Sequence, residues 1–244
     1  MKEREYTGFV IKRKNYRDSD RIVTLFSKEE GKVGFIAKGI KKPKAKLTSF
    51  IEPFVESKYR LIGGGNLPVL VGAKNLSKNQ FYDAGLTVRV AAAVATEVLE
   101  LITLEGQKNK GLYTAYKACL SDLQDSAKPI LMLDFHIAKM MSMVGVEPSI
   151  SLDKLSKLYF DFDEGTISKR RLSTATVPLS YDCAKLYKAI SSYGSTTIVR
   201  LRVESSLADE LLHLLIRYLE YHFARKIKGA KILFEMGDSL QASD

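Results

Sequence analysis

Between Gly31 and Ile51 the sequence holds Lys32, Lys38, Lys41, Lys42, Lys44 and Lys46 and no acidic residue. The run Gly39-Ile-Lys-Lys-Pro-Lys-Ala-Lys-Leu-Thr-Ser49 has Gly, Pro and no periodicity, which predicts a flexible loop. Ammonium groups this close repel one another, and a polyanion relieves that repulsion. Spread over several phosphates they gain affinity by counterion release and read no base sequence. A lysine loop that only solubilises the surface is the alternative, and the missing counter-charge weighs against it. A second basic cluster, Lys12, Arg13, Lys14 and Arg17, is expected between the first two strands, with Tyr16 inside it. The Tyr16 ring can stack on a base or cover the mouth of a barrel. The candidate polyanion contacts are therefore Lys12, Arg13, Lys14, Tyr16, Arg17, Lys38, Lys41, Lys42, Lys44 and Lys46.

Other chemistry is sparse. His136, His213 and His222 lack metal-ligand spacing, and neither Cys119 nor Cys183 lies near a histidine in sequence. Two cysteines make neither a disulfide framework nor a four-cysteine site, which suits a reducing cytoplasm. Both fall on expected helices and read as small core residues. Gly63-Gly-Gly65 reads as a turn, since no helix follows it. Asp161, Asp163 and Glu164 fit a solvated hairpin tip better than a cation site. Met132, Met140, Met141 and Met143 cluster on one helix. They fill a core, or, with Lys128 and Lys139 at the rim, Met140, Met141 and Met143 line a groove for an acidic, apolar peptide.

These residues need elements to hold them. The chain has 244 residues, 45% of them hydrophobic, enough for one large domain or two small ones. Residues 1–80 carry 18 Lys+Arg against 8 Asp+Glu. Residues 81–244 carry 20 against 20, so the net +10 lies in the first third. One part is built to meet a polyanion and the other for something else. The N-terminus has no apolar run after its charges, so no signal peptide is expected, and Val90–Leu104 is too short and charged to span a membrane. Strands are expected over Thr7–Lys12, Arg21–Ser27, Val33–Lys38, Phe50–Ile62 (with Pro53 marking an edge or bulge) and Leu67–Ala73, forming a small closed or partly closed barrel. Helices follow: Tyr82–Leu104, Leu112–Leu123, one from Pro129 to Gly145, Tyr181–Tyr193 behind a Ser180 cap, and a last one from a Ser206 cap to about Lys226 with Gly229 beyond. Ser149–Pro178 is irregular except for a hairpin turning at Glu164-Gly165. The expected domains are 1–78 and 79–236, with insert 149–178 and a disordered tail at 237–244.

Three segments, Tyr16-Arg-Asp-Ser-Asp-Arg-Ile-Val-Thr-Leu-Phe-Ser27, Gly31-Lys32 and Ile36-Ala-Lys-Gly-Ile-Lys-Lys-Pro-Lys44, strongly resemble the bacterial recombination mediator family RecO. The resemblance extends over nearly the whole chain. It implies an α+β protein: an N-terminal five-stranded OB-fold barrel that binds single- and double-stranded DNA, then a mainly helical domain. It implies no catalytic centre, annealing of complementary strands, and, with RecR, loading of RecA onto DNA covered by single-stranded DNA-binding protein (SSB). The helical domain is expected to accept the acidic, apolar C-terminal peptide of SSB. A cytoplasmic, nucleoid-associated protein is implied. Many members carry a four-cysteine zinc site in the insert. Here the insert has no cysteine or histidine, and Leu152 and Leu155 fall about where the first ligand pair would lie. No zinc or other cofactor is expected, and packing of Leu158, Phe160 and Ile167 must hold the insert. An RNA-binding OB module tied to the ribosome or transfer RNA is the alternative, and an enzyme with an unrecognised site is a remote third.

Overall fold

The computed structural model describes residues 3–63, 67–78, 81–149, 157–171 and 173–241. The remainder of the expected turn after Gly63, and the Leu152 and Leu155 positions, lie outside them. Two compact units are present, residues 1–84 with 99–114, and residues 85–98 with 115–244.

In the first unit, β1 (Glu3–Tyr16), β2 (Asp20–Ser27), β3 (Gly31–Ala37), β4 (Ser57–Ile62) and β5 (Val69–Asn75) close a barrel in the order β1-β2-β3-β5-β4. This order, sealed by a parallel β3–β5 contact at Ile36↔Val69, is that of an OB-fold. β1 is longer than expected because it serves two neighbours. Glu3–Gly8 pairs with β4, and Gly8–Tyr16 pairs with β2, with a register shift between Val10 and Lys12 that bends the strand. Val10, Val23, Leu25, Phe35, Tyr59 and Leu61 fill the interior. The strand expected over Phe50–Ile62 is two pieces. A 3-10 turn at Thr48–Ile51 seals the barrel with the fully buried Ile51, and β4 begins only at Ser57. Pro53 falls in the break, since it cannot donate to a ladder, and Phe54 follows with φ 67°. Tyr59 donates to Phe50 O at 2.8 Å across this corner, and burial pushes its hydroxyl pKa up to about 12.

Residues 99–114 complete this unit. The Tyr113 ring packs on Phe9 and Phe26, at centroid distances of 5.6 and 6.1 Å, and its hydroxyl donates to Glu56 Oε1 at 2.7 Å. Lys32 Nζ donates to Glu100 O and Thr103 O at 2.7 and 2.8 Å, so it is committed to these carbonyls rather than to the lysine loop.

The second unit takes in residues 86–98 of α1 (Leu86–Ile102) and most of α2 (Lys110–Asp125), with α3 (Pro129–Met143), α4 (Tyr181–Ser192), α5 (Ser195–Ile198), α6 (Ser205–Phe223) and α7 (Lys228–Gln241). Pro129 opens α3 and Ser180 caps α4 through Cys183 N, as expected. α6 has no side-chain cap from Ser206. It ends at Phe223, because Ala224 turns left-handed at φ 49°. The helix expected to run to about Lys226 therefore stops at Phe223, and an unexpected helix, α7, follows it with Gly229 inside. A Cβ at Gly229 would stand 3.1 Å from Val94 Cγ2, so the glycine admits close packing. Glu97 accepts from Lys228 N and Gly229 N at 2.6 and 3.0 Å, capping α7 from another helix. Residues 237–241, expected as disordered tail, continue α7.

The insert is a small sheet, β7-β6-β8, with β6 at Leu158–Asp161, β7 at Thr166–Ser168 and β8 at Thr176–Leu179. The hairpin turns through Glu164-Gly165 as expected. β8 is an addition within the stretch expected to be irregular; it forms an edge of the sheet, where Pro178 is tolerated.

Candidate nucleic-acid interface

The turn between β1 and β2 is only Arg17-Asp18-Ser19, so the cluster expected between the strands lies mostly on β1 itself, with Lys12↔Thr24, Arg13↔Val23, Lys14↔Ile22 and Tyr16↔Asp20 in register. Extended pairing carries these side chains out along a hairpin arm. Arg17 sits at its tip with φ 50°, a conformation that strains a non-glycine residue, and its guanidinium carbon lies 5.1 Å over the Tyr16 ring centroid.

The lysine loop leaves β3 at the same end of the sheet as that turn, since Ala37 is in register with Arg21, and it is tied to the turn. Gly39 N donates to Asp20 Oδ1 at 2.7 Å, and Lys41 N donates to Ser19 O at 2.9 Å. Gly39 adopts φ +64°, which lets the chain fold back after Ala37. Ile40 then drops into the barrel core, 3% exposed. Thr48 Oγ1 donates to Ile40 O and Ala45 O at 3.1 and 3.0 Å, and two backbone turns, Lys42 N to Gly39 O and Ala45 N to Lys42 O, complete the segment. The expected flexible loop is thus a built loop. Lys38, Lys41, Lys42, Lys44 and Lys46 all point to solvent, and none has an ion-pair partner among the described residues.

The ten expected contact residues therefore divide. Tyr16, Arg17 and the five loop lysines belong to one tied assembly. Lys14 is exposed on the same arm. Lys12 pairs with Glu100 at 3.0 Å and Arg13 with Glu52 at 2.8 Å, so their charge is partly neutralised. Sequence reasoning passed over Asp20, an acid in the most basic region. Ile40 carried a signal, as the lone apolar residue just ahead of the lysines.

The peptide groove needs correction. Met140 and Met141 are 0% exposed and are core residues; Met143 is 37% exposed. Lys128 Nζ donates to Leu201 O, which turns it toward a backbone carbonyl. Lys139 remains exposed and, with Lys188, flanks a cavity of about 260 Å³ between the ends of α3 and α4. Ala138 of α3, Pro148, and Tyr187 and Ile190 of α4 supply its apolar lining, without any methionine, and Ser142 and Glu147 are among its polar lining.

Of the three acids at the hairpin, Asp163 and Glu164 are exposed as a solvated tip requires, and Asp161 is not. Asp161 is buried and accepts from Glu164 N, Ser173 Oγ and Thr176 Oγ1 at 3.0, 2.8 and 2.7 Å. The Glu164 amide, followed by the Thr176 hydroxyl, holds its carboxyl below the usual carboxylate range. Asp163 accepts from Tyr221. This carboxylate hub ties the insert together beside the expected packing of Phe160. Among the described residues no group of three or more His, Cys, Asp and Glu is arranged to hold a metal ion. Cys119 and Cys183 are buried, and desolvation pushes both thiols up, away from nucleophilic use. Among the described residues no helix is long and apolar enough to cross a membrane.

Comparison with known proteins matches residues 1–77 to the family model described as recombination protein O N terminal and residues 87–231 to that described as recombination protein O C terminal. Among curated relatives, the DNA repair protein RecO of Listeria monocytogenes is 25% identical over 239 residues, 94% of this chain and 93% of that protein. The RecO proteins of Desulforamulus reducens and Bacillus pumilus are each 24% identical, over 243 and 237 residues, covering 96% and 94% of this chain and 94% and 93% of those proteins.

Proposed function

Since the chain belongs to the recombination protein O family, with a role in DNA repair and recombination, we propose that its barrel binds DNA through the tied assembly of Tyr16, Arg17, Lys38, Lys41, Lys42, Lys44 and Lys46, with Lys14 beside it. The observation that carries this is the pair of hydrogen bonds that Gly39 N and Lys41 N of the loop donate to Asp20 Oδ1 and Ser19 O, which sets an aromatic arm next to five unpaired ammonium groups. Phosphates bind the lysines without sequence preference, and a base can stack on Tyr16. The protein then acts without a catalytic step. Bound cations lower the repulsion between two strands, so complementary strands anneal. Acting with RecR, the protein helps load RecA onto SSB-coated DNA. The cavity beside Lys139 and Lys188 receives the acidic, apolar end of SSB. Such a protein works in the cytoplasm, on the nucleoid.

Replacing Lys41, Lys42, Lys44 and Lys46 with alanine together tests this. Binding to single strands should weaken alike for every sequence, and the slope of log K against log salt should fall by up to about 0.7 per lost contact. Annealing should slow in parallel. An unchanged affinity and salt slope would remove the loop from the site. Equal binding of matched RNA and DNA strands without annealing would instead favour an RNA-binding module.

A further inference from the structure

We infer that Asp20 is a positioning residue for nucleic-acid binding, an acid that strengthens binding to a polyanion by fixing the lysine loop to the β1–β2 turn; this rests on the reading of that loop as the DNA site. Simple electrostatics assigns Asp20 the opposite role. A carboxylate among Arg17, Lys38 and Lys41 cancels positive potential, and its removal should tighten DNA binding. The geometry says otherwise. Asp20 Oδ1 accepts from Gly39 N at 2.7 Å and from Ser19 Oγ at 3.3 Å. The first bond is charge-assisted and lands on the residue whose φ of +64° turns the chain out of β3. One residue on, Ile40 is anchored in the core, and Lys41 N meets Ser19 O at 2.9 Å. The carboxylate therefore holds the hinge of the loop, upstream of Lys41, Lys42, Lys44 and Lys46. With the hinge fixed, four mutually repelling ammonium groups are held side by side before DNA arrives, and the ordering cost is already met in the free protein. Without it, like-charge repulsion spreads the loop, and binding must order it again.

Asp20→Ala and Asp20→Asn separate the two roles, because both delete the charge while asparagine keeps an Oδ1 acceptor at the same place. Affinity for a single-stranded oligonucleotide, its salt dependence, and hydrogen exchange at the Gly39 and Lys41 amides are measured in the full chain. For Asp20→Ala we expect DNA binding weakened about fivefold or more, with faster exchange at both amides. For Asp20→Asn we expect affinity equal to or above that of the parent, with exchange near the parent's. Thermal unfolding monitored alongside identifies a general loss of fold. Asp20→Ala binding DNA as tightly as the parent, or tighter, would overturn the inference, as would Asp20→Asn failing to restore binding in a folded protein. If instead the quadruple lysine variant leaves DNA affinity unchanged, the DNA site itself is misplaced. A quadruple variant that loses affinity beside an Asp20→Ala that keeps it would sink the positioning role alone.

Discussion

Asp134 is a carboxylic acid in the middle of α3, 0% exposed, with neither oxygen hydrogen-bonded among the described residues. Desolvation, and then the charge of Asp209, hold its pKa well above the ordinary 3.8. The native state therefore keeps a proton that the unfolded chain releases above pH 3.8. This contribution favours folding at the acid end and is lost as pH rises toward the folded pKa, so at neutral pH Asp134 costs stability. Asp134→Asn should raise stability at pH 7.5 by about 1 kcal/mol or more and should gain less at pH 5. Thermal or denaturant unfolding of both proteins at both pH values checks it. The parent-minus-variant difference cancels the opposite contribution of His136, whose pKa burial lowers. A variant less stable than the parent at pH 7.5 would show that the carboxyl makes a favourable contact. Nothing in the sequence marked Asp134, because a charged letter in an apolar helix reads as its solvent face. The candidate lysines Lys38, Lys41, Lys42, Lys44 and Lys46, by contrast, are exposed as their charge in the sequence suggests.

At the scale of elements, the barrel strands were legible wherever β-branched residues alternated, as in Arg21–Ser27, and the α3 and α4 starts were legible from Pro129 and Ser180. What failed depended on distant partners. β1 extends to Glu3 and Tyr16 because two other strands pair with it, and α7 begins at Lys228 because Glu97, far away in sequence, accepts its first amides. The lysine loop was readable as basic but not as ordered, since its fasteners are Ser19, Asp20 and Thr48. The α3–α4 cavity has the same character: Lys139 was identified, but Lys188, Tyr187 and Ile190 approach from another element. Lys139→Glu should therefore weaken binding of an acidic peptide with an apolar end by about 1 kcal/mol or more, mainly through slower association, with binding to naked DNA nearly unchanged. Calorimetry with such a peptide, and DNA titration of the same variant, decide it. A variant that binds peptide like the parent would move the docking site elsewhere.

For the whole molecule, a basic barrel and a charge-balanced helical remainder suggest a cut near residue 78, but residues 99–114 belong with the barrel. A fragment of residues 1–78 lacks Tyr113, so it loses the ring that packs on Phe9 and Phe26, the hydroxyl that donates to Glu56, and the Glu100 and Thr103 carbonyls that accept from Lys32. It should unfold at a clearly lower temperature than the full chain or aggregate on purification, which circular dichroism and size-exclusion chromatography will show. A cooperative fragment as heat-resistant as the intact protein would contradict this. The same late segment bears on synthesis at the ribosome. All five strands have been translated by Asn75, yet Tyr113 follows 38 residues later (113 minus 75). At about 5–20 residues per second the nascent chain waits roughly 2–8 s with its aromatic seam uncovered. Throughout that interval the most cationic part of the protein hangs close to ribosomal RNA, so the order of translation holds the loop proposed to bind DNA beside a second polyanion before Tyr113 can cover the barrel.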